Sequence, residues 1–89
     1  MASIDYNRNA QIFKALAHPT RIHLIELILA KRPCVKMMEE TLGLAQPNIS
    51  QHLSLLRNLG IVQTERDGNQ VCYFISNERI TKLIDLISD

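Results

Sequence analysis

Two amphipathic segments joined by a link of only three residues, Leu44-Ala45-Gln46, constrain the fold of this chain more than any other feature. The first segment runs from Pro33 to Gly43 and the second from Pro47 to Leu59. Both carry apolar residues at helical spacing; Gly43 ends the first segment and Gly60 follows the second. Two helices joined this tightly form a helix-turn-helix, so we expect this motif in the middle of the chain.

The pattern of apolar residues changes from helical to alternating directly after the second segment. Residues 61–66 and 69–75 flank Asp67-Gly68, a dipeptide typical of a two-residue type I′ turn. A turn at this dipeptide pairs Arg66 with Asn69. The sequence therefore predicts a β-hairpin that follows the helix-turn-helix.

Three further helices complete the predicted fold. We expect a first helix from about Ile4 to Ala17, a central core helix from Pro19 to Lys31 and a last helix from Asn77 to Ser88. The last helix carries an apolar stripe that a domain already filled by its other helices cannot easily absorb. A subunit interface is the expected place for this stripe, which predicts a homodimer through the first and last helices. The residues expected at that interface are Phe13, Ile80, Leu83, Ile84 and Ile87.

Length and composition exclude several classes of protein. A chain of 89 residues with 46% hydrophobic residues has material for one core, so residues 1–89 are expected to form a single domain. Its longest apolar stretch, from Ile22 to Ala30, is far shorter than the ~20 residues of a membrane span. The N-terminus lacks the charged-then-apolar pattern of a secretory signal, which predicts a cytoplasmic protein without a membrane partner. No nucleophile–base pair, paired carboxylates or phosphate-binding glycine loop is evident, so we expect no catalytic residues.

The order helix, helix, helix-turn-helix, hairpin, helix is that of a winged helix, a mainly α fold with a small β-hairpin. The amino-acid sequence itself also resembles that of the ArsR/SmtB family of small dimeric repressors. The residues that carry this resemblance lie at 15–21, 42–53, 56–57 and 59–62 and at Gly68, Val71 and Tyr73. The resemblance implies a homodimeric repressor that binds a palindromic operator in double-stranded DNA.

The segment from Pro47 to Leu59 is the predicted recognition helix. Reading DNA requires an apolar inward face and outward side chains near the N-terminus that can bind base edges. Glutamine and asparagine can pair with adenine, and serine and free backbone amides can bind phosphate. No acidic residue occurs between Thr41 and Gln63, so nothing on this segment repels DNA. The predicted DNA-binding residues are Gln46, Asn48, Ser50, Gln51 and Arg57 in this region and Arg66, Asn69 and Gln70 at the hairpin tip.

Three positions near these helices have local interpretations. His52 borders the inward stripe of the recognition helix and is expected to be a hydrogen-bonded packing residue. His18 precedes Pro19 at a helix start and is expected to cap that helix. Ala45 stands where members of the resembled family often have a capping serine, which weakens the start of the recognition helix.

The two cysteines, Cys34 and Cys72, bear on the signal that the protein responds to. Arsenic and lead sensors of the resembled family often present Cys-Val-Cys at the start of the short helix, where this chain has Cys34-Val35-Lys36. Zinc and nickel sensors of that family use Asp and His ligands on the last helix, but residues 77–89 contain no histidine. We therefore expect no metal site and no cofactor. Cations near Cys34 favour its reactivity, so oxidation or persulfide chemistry is one interpretation, and an inert, semi-buried residue is the other.

Two functions from different classes remain open on the sequence. The first is a DNA-binding repressor, with a redox- or persulfide-responsive repressor as a variant of it. The second is a winged-helix module that binds protein, which the net charge of only +1 favours. Salt dependence of binding to DNA separates the two, because phosphate contacts weaken steeply with salt.

Overall fold

The computed structural model describes residues 3–88 and has the predicted winged-helix architecture. Within these residues there are five helices and one antiparallel pair of strands. In chain order they are α1 (Tyr6–Leu16), α2 (Pro19–Lys31), α3 (Val35–Leu42), α4 (Gln46–Asn58), β1 (Gln63–Asp67), β2 (Gln70–Phe74) and α5 (Glu78–Ile87). No helix among the described residues is both long and apolar enough to cross a membrane.

Side-chain caps set where several helices begin. Oδ1 of Asp5 accepts the backbone N–H of Arg8 at 3.0 Å, so α1 starts at Tyr6, two residues after the predicted start. Nδ1 of His18 accepts the N–H of Thr20 at 3.2 Å, which confirms its predicted capping role. The bounds predicted for α2, Pro19 to Lys31, agree with the structure. Helix termini are fixed by local chemistry, which is why the sequence predicts them well.

The hydrophobic core lies where α2 meets the helix-turn-helix and the hairpin. Helix α2 contributes three fully buried side chains, as its apolar circumference predicts. Helix α4 contributes three more, and α3, the start of the hairpin and α5 close the remaining sides. The largest of these buried side chains are Leu24, Ile25, Ile28, Met38, Ile49, Leu53, Leu56, Ile61 and Ile80.

The core takes in part of the stripe on α5 that the sequence analysis assigned to a dimer interface. Ile80 is 1% exposed and Ile84 is 7% exposed in the single chain. The expectation that the domain cannot absorb this stripe is therefore wrong for these two residues, because the first two turns of α5 pack onto the core. Leu83 is half-buried, whereas Ile87 and Phe13 are 63% and 59% exposed. Only this outer part of the stripe remains available to a partner.

The two-residue loop of the hairpin lies one residue later in the chain than predicted, which changes the pairing of the strands. Asp67 pairs with Gln70 and Arg66 pairs with Val71, so the two-residue loop is Gly68-Asn69 and the pairing of Arg66 with Asn69 is wrong. Gly68 has a φ of +63°, and it is the only loop residue with a positive φ. A positive φ at the first loop position alone is the pattern of a type II′ turn, which favours glycine at that position. A type I′ turn would need a positive φ at both loop positions.

A short extension of the hairpin comes from the residues before α3. Cys34 forms an isolated antiparallel bridge with Cys72 of β2. The backbone N–H of Tyr73 donates to the carbonyl oxygen of Pro33 at 3.0 Å. Arg32, with a φ of +47°, turns the chain into this position after α2 ends. The start of the helix-turn-helix is thereby attached to the hairpin.

Candidate DNA-binding surface

Helix α4 has one face in the core and the opposite face in solvent. Its buried residues are Ile49, Leu53 and Leu56, which recur at helical spacing. The residues at the centre of the opposite face are all exposed, and they are Pro47, Gln51, Ser54 and Asn58. A helix held rigidly on one side and polar on the other meets the requirements for insertion into a DNA groove.

The predicted contact residues of α4 do not all lie at the centre of this exposed face. Gln51 does, and Gln46 and Arg57 are exposed along one side of it. Asn48 is exposed on the other side, and Ser50 is half-buried, so its hydroxyl is less available than predicted. Ser54 and Asn58 also lie on this face, although they were not among the residues predicted from the sequence. Their spacing of three and seven residues from Gln51 was the signal that would have identified them.

The N-terminus of α4 is open toward solvent. The N-cap residue Ala45 supplies no side-chain hydrogen bond. Its carbonyl oxygen accepts the N–H groups of Asn48 and Ile49 at 3.1 and 3.3 Å, and Pro47 has no N–H. The N–H of Gln46 therefore remains without an acceptor in the helix, and it points out of the positive end of the helix dipole. Such an end favours an anion such as a DNA phosphate.

A hydrogen-bonded cluster holds α4 to α2. Nε of Arg21 donates to Nδ1 of His52 at 3.2 Å, which confirms that His52 is a hydrogen-bonded packing residue. The rings of His18 and His52 meet edge to face, with centroids 4.8 Å apart. Burial lowers the pKa of His52 below 6.5, and the charges of His18 and Arg21 lower it further. The cluster fixes the orientation of α4 while His52 is neutral.

A second contact holds the other end of α4. Nη2 of Arg8, on α1, donates to the carbonyl oxygen of Leu59 at 3.1 Å. The same nitrogen lies 3.4 Å from the place that a Cβ on Gly60 would take, and Gly60 has a φ of +74°. Glycine suits this positive φ, and a Cβ here would lie in ordinary contact with the guanidinium group. Helix α1 thus contacts the C-terminal end of α4.

The hairpin, here called the wing, presents a mixed set of charges. Arg66, Asn69 and Gln70 are all exposed, but Arg66 lies within the strand pairing rather than at the tip where it was predicted. Asp67, next to the loop, is exposed as well. Glu65 lies 3.9 Å from Arg32, and both side chains are more than 60% exposed, so this ion pair adds little to stability. The wing thus exposes one cation and two amides beside two carboxylates.

The two cysteines lie where the chain before α3 meets the wing. Cys34 and Cys72 are both free and half-buried, and their backbones oppose each other in the antiparallel bridge. The structure thus answers a question that the sequence left open, namely whether these residues approach within one chain. No group of three or more His, Cys, Asp or Glu side chains suited to a metal ion occurs within residues 3–88.

Comparisons with known proteins agree with this arrangement. The model of the family described as bacterial regulatory protein, arsR family, matches residues 18–64. The chain is 39% identical over 80 residues to the HTH-type transcriptional regulator Rv0081 of Mycobacterium tuberculosis, covering 89% of this chain and 70% of that protein. It is 34% identical over 85 residues to the HTH-type transcriptional regulator MJ1325 of Methanocaldococcus jannaschii, covering 94% of this chain and 96% of that protein.

Solved structures show the same fold. The crystal structure of Rv0081 superposes with a TM-score of 0.84 at 36% identity and covers 96% of this chain and 86% of that one. The crystal structure of PagR of Bacillus anthracis, described as a transcriptional repressor, superposes with a TM-score of 0.82 at 30% identity. That match covers 93% of this chain and 95% of the other. These relatives are transcriptional regulators rather than enzymes.

Proposed function

Because this chain belongs to the ArsR family of bacterial regulatory proteins, we propose that it is a homodimeric repressor that binds a palindromic operator. Each subunit inserts one α4 into the major groove of one half-site. Each half-site is read by the α4 of one subunit. The two half-sites therefore lie about 34–36 Å apart, which is one turn of the DNA helix, or a multiple of that distance. A protein that acts on operators works in the cytoplasm, where the DNA is.

One observation carries this proposal: the exposed face of α4 is polar and free of acidic side chains, while its opposite face is fixed in the core. Between Thr41 and Gln63 the chain has no carboxylate, although nine Asp and Glu occur elsewhere in it. Their exclusion from this surface removes the main source of repulsion from phosphate. The open N-terminus at Gln46 and the cation of Arg57 add attraction. Repression, rather than activation, is supported by the likeness to PagR.

The surface left on α1 and α5 supports a dimer. Phe13, Leu83 and Ile87 line an apolar groove of about 220 Å³ between these two helices. Large apolar side chains that are more than half exposed, such as Phe13 and Ile87, mark a surface that binds a partner. A second copy is the partner that a two-fold operator requires. Ile84 also lines this groove although it is 7% exposed, whereas Ile80 belongs to the core.

The signal is proposed to act on thiols rather than through a resident metal. Structural zinc sites use four Cys or His ligands, and Cys34 and Cys72 provide two. Their opposition across one backbone bridge supports oxidation or persulfide chemistry as the signal.

Selection of bound sequences from random duplex DNA tests the repressor proposal. We expect recovery of a sequence with two-fold symmetry, bound more tightly than random DNA, with an affinity that falls steeply between 50 and 200 mM salt. The control is a variant in which Gln51 and Asn58 are both alanine, which retains the fold but loses the preference. Failure to enrich any sequence, together with binding that does not respond to salt, contradicts the proposal and favours a module that binds protein.

A further inference from the structure

We propose that Cys34 and Cys72 form a reversible disulfide within one chain in response to a hydroperoxide, and that this bond weakens operator binding. The site rests on the proposed function for its regulatory effect, but its chemistry does not depend on DNA. It connects two parts of the fold that both face the operator in that proposal. Cys34 occupies the N-cap position of α3, in the helix-turn-helix, and Cys72 lies in the wing strand β2.

The backbone geometry suits a disulfide. The hydrogen bond from Tyr73 N–H to Pro33 O joins the residues on either side of the cysteine pair. Cys34 and Cys72 are therefore a non-hydrogen-bonded antiparallel pair, in which Cα atoms lie about 4.5 Å apart and both side chains leave the same face. Disulfides span Cα separations of about 4.4–6.8 Å. The bond can form without unfolding either element.

The site is open to a small oxidant. Both cysteines are half-buried rather than sealed in the core. Cys72 lines a groove of about 340 Å³ together with Arg32, Glu65 and Phe74. The guanidinium carbon of Arg32 lies 4.9 Å from the centre of the Phe74 ring, so this cation stays at the mouth of the groove. Hydrogen peroxide, a small polar molecule, fits this groove without displacement of the backbone.

The reaction balances with hydrogen peroxide as the only oxidant. One thiolate attacks a peroxide oxygen, the O–O bond breaks, and a sulfenic acid and one water form. The second thiol then attacks the sulfenic sulfur, the S–S bond forms, and a second water leaves. Two electrons pass from the two sulfurs to the peroxide. A thiol reductant reverses the change by thiol–disulfide exchange.

Bond formation changes the relation of the wing to the helix-turn-helix. In a non-hydrogen-bonded pair the Cβ atoms lie near the short end of the range of about 4.5–5.5 Å, whereas a disulfide holds them at about 3.8 Å. Closing the bond therefore draws β2 toward the start of α3 by about 0.7 Å. The wing tip and α4 then no longer match the phosphate spacing that they meet in the reduced state. We expect operator affinity to fall by about fivefold or more, which corresponds to about 1 kcal/mol.

The test treats reduced full-length protein with hydrogen peroxide and first measures the thiols without DNA. Titration after denaturation should show two thiols per chain before treatment and none after it, with a loss of about 2 Da in intact mass. Non-reducing electrophoresis should show an uncrosslinked chain, and the oxidised protein should unfold at a higher temperature because the bond constrains the unfolded chain. A crosslinked dimer, or a gain of oxygen without loss of both thiols, overturns the disulfide.

Operator affinity is then compared for wild type, Cys34→Ser and Cys72→Ser, each before and after oxidation. We expect only wild type to lose affinity, and a thiol reductant to restore it. Equal affinity of the reduced and oxidised wild type, or an equal loss in a serine variant, overturns the regulatory effect. Absence of DNA binding by the reduced protein counts against the proposed function instead, since the thiol measurements stand apart from it.

Discussion

Arg21 on α2 donates a hydrogen bond from Nε to Nδ1 of His52 on α4, over 3.2 Å. This contact joins the central helix of the core to the proposed recognition helix. Protonated imidazole has no lone pair at Nδ1 and carries a positive charge, which the guanidinium group would repel. The hydrogen bond therefore exists only while His52 is neutral, and it makes the attachment of α4 sensitive to acid.

The free energy of unfolding should fall as the pH drops below about 6.5. The pKa of His52 is lowered from 6.5 in the folded chain, mainly by burial. The unfolded chain therefore takes up a proton at a higher pH than the folded chain, and acid favours unfolding. Urea midpoints measured from pH 7.5 to pH 5 check this. His52→Asn, which keeps an acceptor for Arg21, should show a smaller fall, and His23→Asn, at an exposed site on α2, should behave as wild type. A stability that rises on acidification over this range contradicts the assignment.

Gln51→Ala should weaken binding to the operator by about 1–3 kcal/mol and leave binding to random DNA nearly unchanged. Gln51 lies at the centre of the exposed face of α4, where a side-chain amide can pair with a base edge. Competition titrations with operator and random duplexes measure the difference. Gln11→Ala, at an exposed site on α1, is the matched control. Unchanged discrimination in the Gln51 variant would move base recognition elsewhere on the surface.

Ile87→Glu should dissociate the dimer, because an unpaired carboxylate in an apolar interface costs several kcal/mol. Ile87 is 63% exposed, so the change leaves the core of the single chain intact, whereas Leu83→Glu combines dissociation with a loss of packing. Leu86→Glu is the control, since Leu86 is 80% exposed and lies outside the apolar groove. Sedimentation velocity reports the oligomeric state. A monomeric wild type, or a dimeric Ile87 variant, argues against this interface.

Ala45→Ser should stabilise the chain by about 1 kcal/mol. Ala45 has the extended backbone of an N-cap residue but no side-chain oxygen, so a serine there can accept an N–H of the first turn of α4. Chemical denaturation measures the gain. Ala10→Ser, inside α1 and exposed, should give no gain, because serine has no capping role within a helix. Equal effects of the two changes would mean that the start of α4 is already satisfied.

Arsenite, zinc and nickel at micromolar concentration should not release DNA. Within residues 3–88 the thiols of Cys34 and Cys72 have no third or fourth ligand beside them, and two ligands fall short of what tight, selective binding of these ions needs. From the sequence alone one thiol is expected at this place; the structure brings a second beside it, which still leaves fewer than three ligands. Fluorescence anisotropy of labelled operator with each metal gives the answer. Release at a stoichiometric amount of metal would refute it.

Helix positions could be predicted from the sequence because their signals are local. The bounds of α2 follow from Pro19 at its first turn and from its apolar pattern. Asn77, the predicted start of α5, is its N-cap, so the helix begins one residue later at Glu78. The wing register could not be predicted in the same way. The run Asp67-Gly68-Asn69 contains two overlapping turn candidates, and the choice between them depends on pairing along the whole hairpin.

Contacts between distant residues account for the other differences. The opposition of Cys34 and Cys72 depends on how the turn at Arg32 directs the chain, which no periodic pattern encodes. The burial of Ile80 and Ile84 depends on how much of the core the preceding helices leave open. On α4, the helical period identified the polar face, but the half-burial of Ser50 comes from its neighbours in space.

The backbone bridge between Cys34 and Cys72 also protects the wing from aggregation. A strand at the edge of a sheet exposes unpaired N–H and C=O groups, which can recruit a strand from another chain. On one side of the sheet, Pro33 and Cys34 already pair with the outer edge of β2. Proline has no N–H that could pair with a strand from another chain. On the other side, β1 ends in Glu65-Arg66-Asp67, whose exposed charges oppose stacking of a second strand. With both edges protected in this way, we expect the sheet to remain two-stranded at high protein concentration.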